Sequence, residues 1–367
     1  MRSIRVLVVD DAATMRRLVA EALSADPGLE VVGTAANGRQ ALERIPALWP
    51  DVVILDLEMP VMGGLETLAE LRQRYPRLPV IIFSSVSPGA ARSTLEALAL
   101  GAKDYVTKAS GGSLAESMRR ARAELIPRIR ALCVRAGTGR AAAAPSRTLP
   151  LRPAPARAGM RHRDGAAAHV ELVAIGTSTG GPNALAEILP ALPYDLPVPV
   201  LVVQHMPPVF TAHLAERLAE RCSLEVREGV TGALLVPGAV WIAPGDQHMA
   251  VRRSGVEVRI ALHSGPPENS CRPAADELFR SAAAAYGAGA LAVVLTGMGQ
   301  DGLRGCEHLR AAGGAVIAQD EETSTVWGMP GAVTRAGLAD VVLPLSDIAP
   351  EIVRRVLIGR RGGRSAA

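Results

Sequence analysis

Short aliphatic runs alternate with amphipathic stretches through the first 125 positions. The runs at Ile4–Val9, Glu30–Thr34, Val52–Leu55, Val80–Phe83 and Tyr105–Val106 read as strands. They are nearly continuous rather than alternating, as expected of strands buried on both faces. Between them, apolar positions at helical spacing predict helices near Thr14–Ser24, Gly38–Arg44, Gly64–Arg74 and Ala90–Leu100. A fifth helix is expected from Ser113 to Leu125, ending ahead of Pro127. Five β-α repeats with short connections predict an open parallel sheet covered on both faces. Function should then gather at the carboxyl ends of the strands.

The pattern breaks at residue 126. The stretch CVRAGTGRAAAAPSRTLPLRPAPARAGMRHRDGAAAH has no period and few large apolar residues. Residues 126–169 are therefore expected to form an Ala/Pro/Arg-rich linker, semi-stiff where prolines cluster. From Val170 the α/β pattern resumes, with strand-like runs at Leu172–Ile175, Val198–Val203, Val240–Ile242, Val256–Ile260, Ala290–Leu295 and Val316–Ala318. A helical stretch at Ile348–Leu357 precedes an arginine-rich end. The expected organisation is an α/β domain at 1–125, the linker, a second α/β domain at 170–358 and a basic tail at 359–367.

Only 3% of the 367 residues are aromatic, so aliphatic cores are expected and platforms for stacking nucleic-acid bases are not. A net charge of +4 suggests an anionic partner until its distribution is considered. Pro127–His169 contains nine arginines against the single acid Asp164, a local balance of +8. Five further arginines, Arg354, Arg355, Arg360, Arg361 and Arg364, crowd the C-terminus. The folded parts are thus acidic, and the basic segments read as solvated and loose. The four cysteines, Cys133, Cys222, Cys271 and Cys306, form no CxxC pair, which disfavours structural zinc and a disulfide framework. MRSIRVLVVDD does not fit a secretory leader, and no run approaches the ~18 apolar residues of a membrane span. A cytoplasmic chain without membrane insertion or nucleic-acid binding, and a monomer, is expected.

Asp10 and Asp11 follow the first expected strand and Asp56 the third; Ser84 follows the fourth and Lys108 the fifth. Three neighbouring carboxylates repel unless a cation joins them, and an all-oxygen set suits Mg²⁺. Carboxylate, divalent cation and lysine around one oxygen describe a phosphoryl-accepting site. With LDLEMPVMGG around Asp56 and an aromatic residue at Tyr105, residues 3–125 resemble a response-regulator receiver domain. That resemblance implies a flavodoxin-like sheet of order 2-1-3-4-5 and transfer of phosphate from a histidine kinase to Asp56. It also implies Mg²⁺ at Asp10, Asp11 and Asp56, and a switch using Ser84, Tyr105 and Lys108. Receivers usually follow the lysine with proline, whereas Ala109 stands here, a departure that bears on the loop and on dephosphorylation.

In VELVAIGTSTGGPNALAEIL an apolar strand meets GTSTGG and then a helical pattern. The turn could present backbone N–H groups to a phosphate or a serine as nucleophile. It lacks the G-x-G-x-x-G and G-K-[ST] spacings, but Gly176–Gly180 satisfies G-x-S-x-G with Ser178 on the turn. A serine nucleophile needs a base, and the base an orienting acid. His162 and His169 fall in the linker, and His213, His248, His263 and His308 lack a distinctive setting and are expected at the surface. His205 instead ends the strand in PVLVVQHMPP, and Asp301 ends another in AVVLTGMGQDG; Asp246, Asp276 and Asp320 are weaker alternatives. The order Ser, His, Asp differs from that of α/β-hydrolases.

Together with WIAPGDQHM, SCRPAADELF and AGGAVIAQDEETSTVWGMPGAV, these stretches closely resemble the chemotaxis protein-glutamate methylesterase (CheB) family over Val170–Ala349. The family commonly has GAS where this chain has GTS. The resemblance implies a doubly wound, mostly parallel α/β catalytic domain and a phosphorylation-regulated hydrolase. Its substrates would be glutamate methyl esters and glutamines on chemoreceptor helices. Ser178, His205 and Asp301 would be catalytic, with oxyanion support around Met298 and Thr179. No cofactor is expected for hydrolysis. Two other classes remain open: a DNA-binding regulator, for which no helix-turn-helix pattern is found, and a non-catalytic phospho-switch adaptor on the same fold.

Overall fold

The computed structural model describes residues 2–108, 113–138, 169–358 and 360. In the first unit, β1 (Ile4–Val9), β2 (Leu29–Ala35), β3 (Val52–Leu55), β4 (Val80–Ser84) and β5 (Asp104–Thr107) alternate with α1 (Ala13–Ser24), α2 (Gly38–Leu48), α3 (Gly64–Arg74), α4 (Pro88–Ala99) and α5 (Leu114–Thr138). The strands form one parallel sheet of order β2-β1-β3-β4-β5. Every residue of β3 and β4 is buried, which is why these strands read as unbroken apolar runs. Side chains start three of the helices, and at α5 Ser113 Oγ accepts from Glu116 N at 3.2 Å. Asn37 Oδ1 accepts from Gln40 N at 3.0 Å to cap α2, and Ser87 Oγ accepts from Ala90 N at 3.1 Å to cap α4.

α5 departs from expectation. It runs through Pro127 to Thr138 rather than ending at Leu125, so residues 126–138 are helix and not linker. Ile129, Leu132 and Cys133 are buried in the same cluster as α1 and the sheet. Arg128 pairs with Asp104 at 3.1 Å, and Arg130 with Asp26 at 2.7 Å. This burial outweighs the ~3 kcal/mol that an interior proline costs a helix. Residues 139–168 of the expected linker, and Ala109, lie outside the described residues.

The second unit contains β6 (Leu172–Thr177), α6 (Gly181–Ile188), β7 (Val200–Gln204), α7 (Pro208–Ala219), β8 (Glu225–Glu228), β9 (Ala239–Ile242), β10 (His248–Ser254), β11 (Glu257–His263), α8 (Ala275–Tyr286), β12 (Ala290–Val294), α9 (Leu303–Ala311), β13 (Ala315–Gln319), α10 (Met329–Arg335), β14 (Val341–Leu343) and α11 (Leu345–Leu357). Seven strands pair in parallel in the order β14-β13-β12-β6-β7-β9-β8, and β10–β11 form a separate antiparallel hairpin. From β6 the chain winds outward through β7, then returns to build β12 to β14 on the other side. The winding therefore reverses between β6 and β12, and such a switch point opens a crevice at the carboxyl ends of the strands. β8, β10 and β14 were not expected. β8 reads EVRE and β10 ends in three exposed polar residues, so neither presents a long apolar run, and the apolar run of β14, VVL, is only three residues long.

The C-terminal arginines are less free than expected. Arg354 and Arg355 lie on α11 and pair with Glu351 at 2.6 and 2.7 Å. Arg360 donates to Val170 O at 2.8 Å and Pro197 O at 3.2 Å, so the start of the expected tail is tied to the second unit. Residues 361–367 lie outside the described residues.

The two units meet through α4, which packs against α6 and α7. Asn183 Nδ2 donates to Leu98 O at 2.8 Å. The Tyr105 ring of β5 stacks on Phe210 of α7, with centroids 4.9 Å apart and planes 12° from parallel, a favourable aromatic geometry. Among the described residues no helix is long and apolar enough to cross a membrane.

Candidate active site and acidic cluster

At the carboxyl end of the first sheet, Asp10 and Asp56 are buried and Asp11 is exposed, with one carboxylate oxygen from each within 4.8 Å of the others. Lys108 Nζ lies 2.8 Å from both Asp10 Oδ2 and Asp56 Oδ2. Lys108 is thus the charged partner of both buried carboxylates. Burial, with Asp10 alongside, pushes the Asp56 carboxyl above its usual range in spite of Lys108. Burial disfavours the charge on Lys108, but the two carboxylates outweigh it and hold its ammonium above its ordinary value. Three crowded carboxylates, whose mutual repulsion a single lysine only partly offsets, fit a small divalent cation such as Mg²⁺. Ser84, at the end of β4, is buried, and its carbonyl accepts from Lys108 N at 2.7 Å.

In the second unit Ser178 follows β6 directly. Its backbone N–H donates to Thr296 O at 3.0 Å, and its carbonyl accepts from Gly181 N at 2.8 Å and Gln204 Nε2 at 3.0 Å. Gly180 takes φ +81°, and a Cβ there would collide with the Thr325 side chain, so the turn needs glycine. Gly297, after β12, comes so close that a Cβ on it would stand 2.9 Å from Ser178 Cβ. The loops after β6 and β12 are therefore in contact.

His205 follows β7, and its backbone N–H donates to Thr177 O at 3.3 Å. Its Nε2 lies 2.8 Å from Asp301 Oδ2. That oxygen also accepts from Ala275 N at 2.6 Å, while Asp301 Oδ1 accepts from Asp276 N at 3.1 Å, Gly302 N at 3.0 Å and Asn269 Nδ2 at 3.1 Å. The carboxylate thus sits on the N-terminus of α8, where backbone N–H groups and the helix dipole favour negative charge. Burial opposes that charge, but His205 and the backbone donors outweigh it and hold the Asp301 carboxyl below its ordinary range. Burial likewise disfavours a charged His205, and the Asp301 and Cys271 contacts more than offset it, raising the imidazole above its ordinary value. An ionised Asp301 makes Nε2 the donor, leaving Nδ1 as the basic nitrogen. Nδ1 faces Cys271 Sγ at 3.4 Å.

Ser178, His205 and Cys271 line one cleft. The structure joins His205 to Asp301; among the described residues Ser178 Oγ makes no side-chain hydrogen bond to His205. Thr179 Oγ1 is engaged across the domain boundary, donating to Asp104 Oδ2 at 2.7 Å. Met298 is half-buried and packs, near Val326, against the apolar cluster of the first unit. Tyr105, Asp104 and Arg128 complete the opposite wall of the cleft.

The alternative acids do not reach His205. Asp246 pairs with Arg272 at 2.5 Å, Asp320 Oδ1 accepts from Thr323 N at 2.9 Å, and Asp276 accepts from Gly305 N at 2.7 Å and Asn269 Nδ2 at 2.9 Å. Burial, with Asp301 nearby, pushes the Asp276 carboxyl up. His248, expected at the surface, is buried, because β10 turns it inward, where its Nε2 donates to Pro266 O at 3.0 Å. His213 pairs with Glu216, His263 with Glu277, and His308 contacts Arg304 O. His169 is exposed and His162 lies outside the described residues. Asp104, Gln204, Asn269 and Cys271 went unassigned. Asp104 stood just outside the expected strand at Tyr105–Val106, and nothing in the spacing of ENSCRP marks its loop as touching the base.

The family model for the CheB methylesterase matches residues 173–352, and that for the response regulator receiver domain matches residues 6–118. The protein-glutamate methylesterase/protein-glutamine glutaminase of Trichodesmium erythraeum (strain IMS101) is 48% identical over 358 residues, covering 97% of this chain and 100% of that protein. The protein of the same description from Nocardioides sp. (strain ATCC BAA-499 / JS614) is 49% identical over 362 residues, covering 97% and 96%. The crystal structure of the Thermotoga maritima CheB methylesterase catalytic domain is similar at a TM-score of 0.50 and 44% identity, covering 50% of this chain and 98% of that one.

Proposed function

Because the chain belongs to the CheB methylesterase family and carries a receiver domain, we propose that it is a phosphorylation-regulated serine hydrolase acting on chemoreceptor side chains. Its substrates are glutamate methyl esters, cleaved with release of methanol, and glutamine carboxamides, which offer the same carbonyl. The observation that carries this reading is the His205–Asp301 pair at 2.8 Å in the same cleft as the Ser178 elbow.

Ser178 Oγ attacks the ester carbonyl as its proton passes to His205 Nδ1. Asp301 accepts the Nε2 hydrogen bond, aligns the ring and stabilises its charged form. Backbone around Met298, with Thr179, supports the oxyanion; losing one such donor costs ~10²–10³ in turnover. Nδ1 returns the proton to the departing methanol, and water then hydrolyses the acyl-enzyme through the same base.

In the receiver, Asp56 is the phosphoacceptor for a histidine kinase, and Asp10, Asp11 and Asp56 are the residues that would hold Mg²⁺. The ion would offset the charge of the incoming phosphoryl group. Lys108 stands ready to bind its oxygens. Without phosphate, α4, Tyr105 and Asp104 cover the Ser178 side of the cleft. Phosphorylation shifts the Ser84 and Tyr105 region and uncovers it.

The test is methanol release from methylated receptor-bearing membranes by the intact chain, with and without a small-molecule phosphodonor and Mg²⁺. Ser178→Ala should lose at least about a thousandfold in turnover, and Asp56→Ala should lose the phosphodonor response alone. Turnover that survives Ser178→Ala would defeat the serine mechanism.

A further inference from the structure

We infer that Cys271 is a positioning residue for the His205 base, its sulfur capping Nδ1, the one imidazole nitrogen that Asp301 leaves free. The inference rests on His205 being the base. A ring tethered only through Nε2 can swing about that hydrogen bond, and a second contact on the opposite nitrogen fixes its plane. Sγ lies 3.4 Å from Nδ1, and among the described residues no other side chain bonds that nitrogen. Ser178 Oγ does not reach it, so the serine proton must enter where the sulfur now stands. The thiol is thus a placeholder that turns aside when the hydroxyl engages.

The loop bearing Cys271 supports this role. Glu268 N donates to Cys271 O at 3.0 Å and Cys271 N to Glu268 O at 2.7 Å, closing a tight turn. Asn269 and Ser270, between them, take φ +49° and +62°, a conformation that costs non-glycine residues energy. From this turn Asn269 Nδ2 reaches Asp301 Oδ1 at 3.1 Å. One short loop therefore touches the base through residue 271 and its acid through residue 269. Close packing alone would require a small apolar side chain at 271, with nothing directed at the nitrogen.

The pairing has a chemical consequence. Nδ1 can accept the thiol proton as a new bond to sulfur forms, acting as a general base, so Cys271 should alkylate faster than a partly buried thiol with no base beside it. With iodoacetamide the sulfur–carbon bond forms as carbon–iodine breaks, iodide leaves, and the thiol proton passes to the imidazole and then to water.

The experiment follows iodoacetamide incorporation at each cysteine of the intact chain by peptide mass spectrometry. His205→Gln should slow Cys271 about tenfold. Cys222, the other partly exposed thiol, should keep its rate in the same sample, and buried Cys133 and Cys306 should stay unlabelled, which reports an intact fold. Equal Cys271 rates in the two proteins would overturn the inference. The second arm reads the pH profile of methanol release. Besides Cys271, the charged groups around His205 are Asp301, Asp276 behind it, the Asp246–Arg272 pair at the rim, and Asp104, Arg120, Glu124 and Arg128 across the cleft. Cys271→Ala should lower kcat and displace the acid limb, and Cys271→Ser should restore both. A profile for Cys271→Ala that superimposes on the wild type would overturn the inference. If the wild type releases no methanol, the esterase reading fails, and the labelling comparison still decides the role of Cys271.

Discussion

Thr179 Oγ1 donates a 2.7 Å hydrogen bond to Asp104 Oδ2, tying the residue after the nucleophile to the last strand of the other domain. Asp104 is buried, and Arg128 of α5 holds the same oxygen at 3.1 Å. Burial pushes the Asp104 carboxyl upward against these partners, so the contact is held where water cannot easily replace it. A hydrogen bond to a charged group contributes roughly 1.5–3 kcal/mol, which corresponds to about a tenfold or larger shift between covered and uncovered states. Asp104→Ala should therefore raise methanol release about tenfold in the absence of phosphodonor and shrink the further response to it. Basal release equal to wild type would mean that the contact does not hold the domains together.

The pH dependence of hydrolysis follows from His205. Its base form is the neutral imidazole, and its pKa stands above the ordinary 6.5. A raised pKa means protonation persists to higher pH, so kcat/KM should climb through a midpoint above 6.5. Asp301→Asn removes the main opposing influence to burial. The midpoint should then move down, while turnover falls by roughly 10³–10⁴ because the ring loses its orienting carboxylate. An unmoved midpoint in that variant would separate the acid limb from His205.

What the chain discloses before folding depends on whether a residue lies in an apolar run. Ser178, His205 and Asp301 could be singled out because strand-like runs precede them, and parallel strands deliver their carboxyl ends to one edge. Asp10, Asp56, Ser84 and Lys108 were legible for the same reason. Asp104 was not, since its function comes from a neighbour 75 positions away. His248 was misjudged because it opens β10, which buries its first four residues and exposes its polar last three, so no long apolar run marks the histidine as internal. β8 escaped notice because its residues are polar at the sheet edge. Pro127 suggested a helix end, and long-range packing overrode it.

That override can be measured. If α5 passes through Pro127, Pro127→Ala restores a backbone donor inside a helix and should stabilise the chain by about 1–3 kcal/mol. Ile129, fully buried two residues later, should cost about 2–5 kcal/mol on truncation to alanine. Urea denaturation followed through the helical signal reads both. A helix that ended at residue 125 would leave Ile129→Ala nearly neutral and give Pro127→Ala no benefit.

Chelation should separate the two sites on the chain. The acidic cluster brings three carboxylates within 4.8 Å of one another, while the His205–Asp301 pair is satisfied by protein donors alone. Removing divalent cations with EDTA should therefore abolish the phosphodonor response and leave the basal rate of methanol release in place. Asp11→Asn should weaken the response and raise the Mg²⁺ concentration needed for it, because Asp11 is the exposed carboxylate of the three and contributes charge without supporting the core. Asp10→Asn should do so more severely, since it also removes one of the two carboxylates at Lys108. Loss of basal hydrolysis on chelation would place a metal requirement in the catalytic domain and would contradict a mechanism that runs on Ser178, His205 and Asp301 alone.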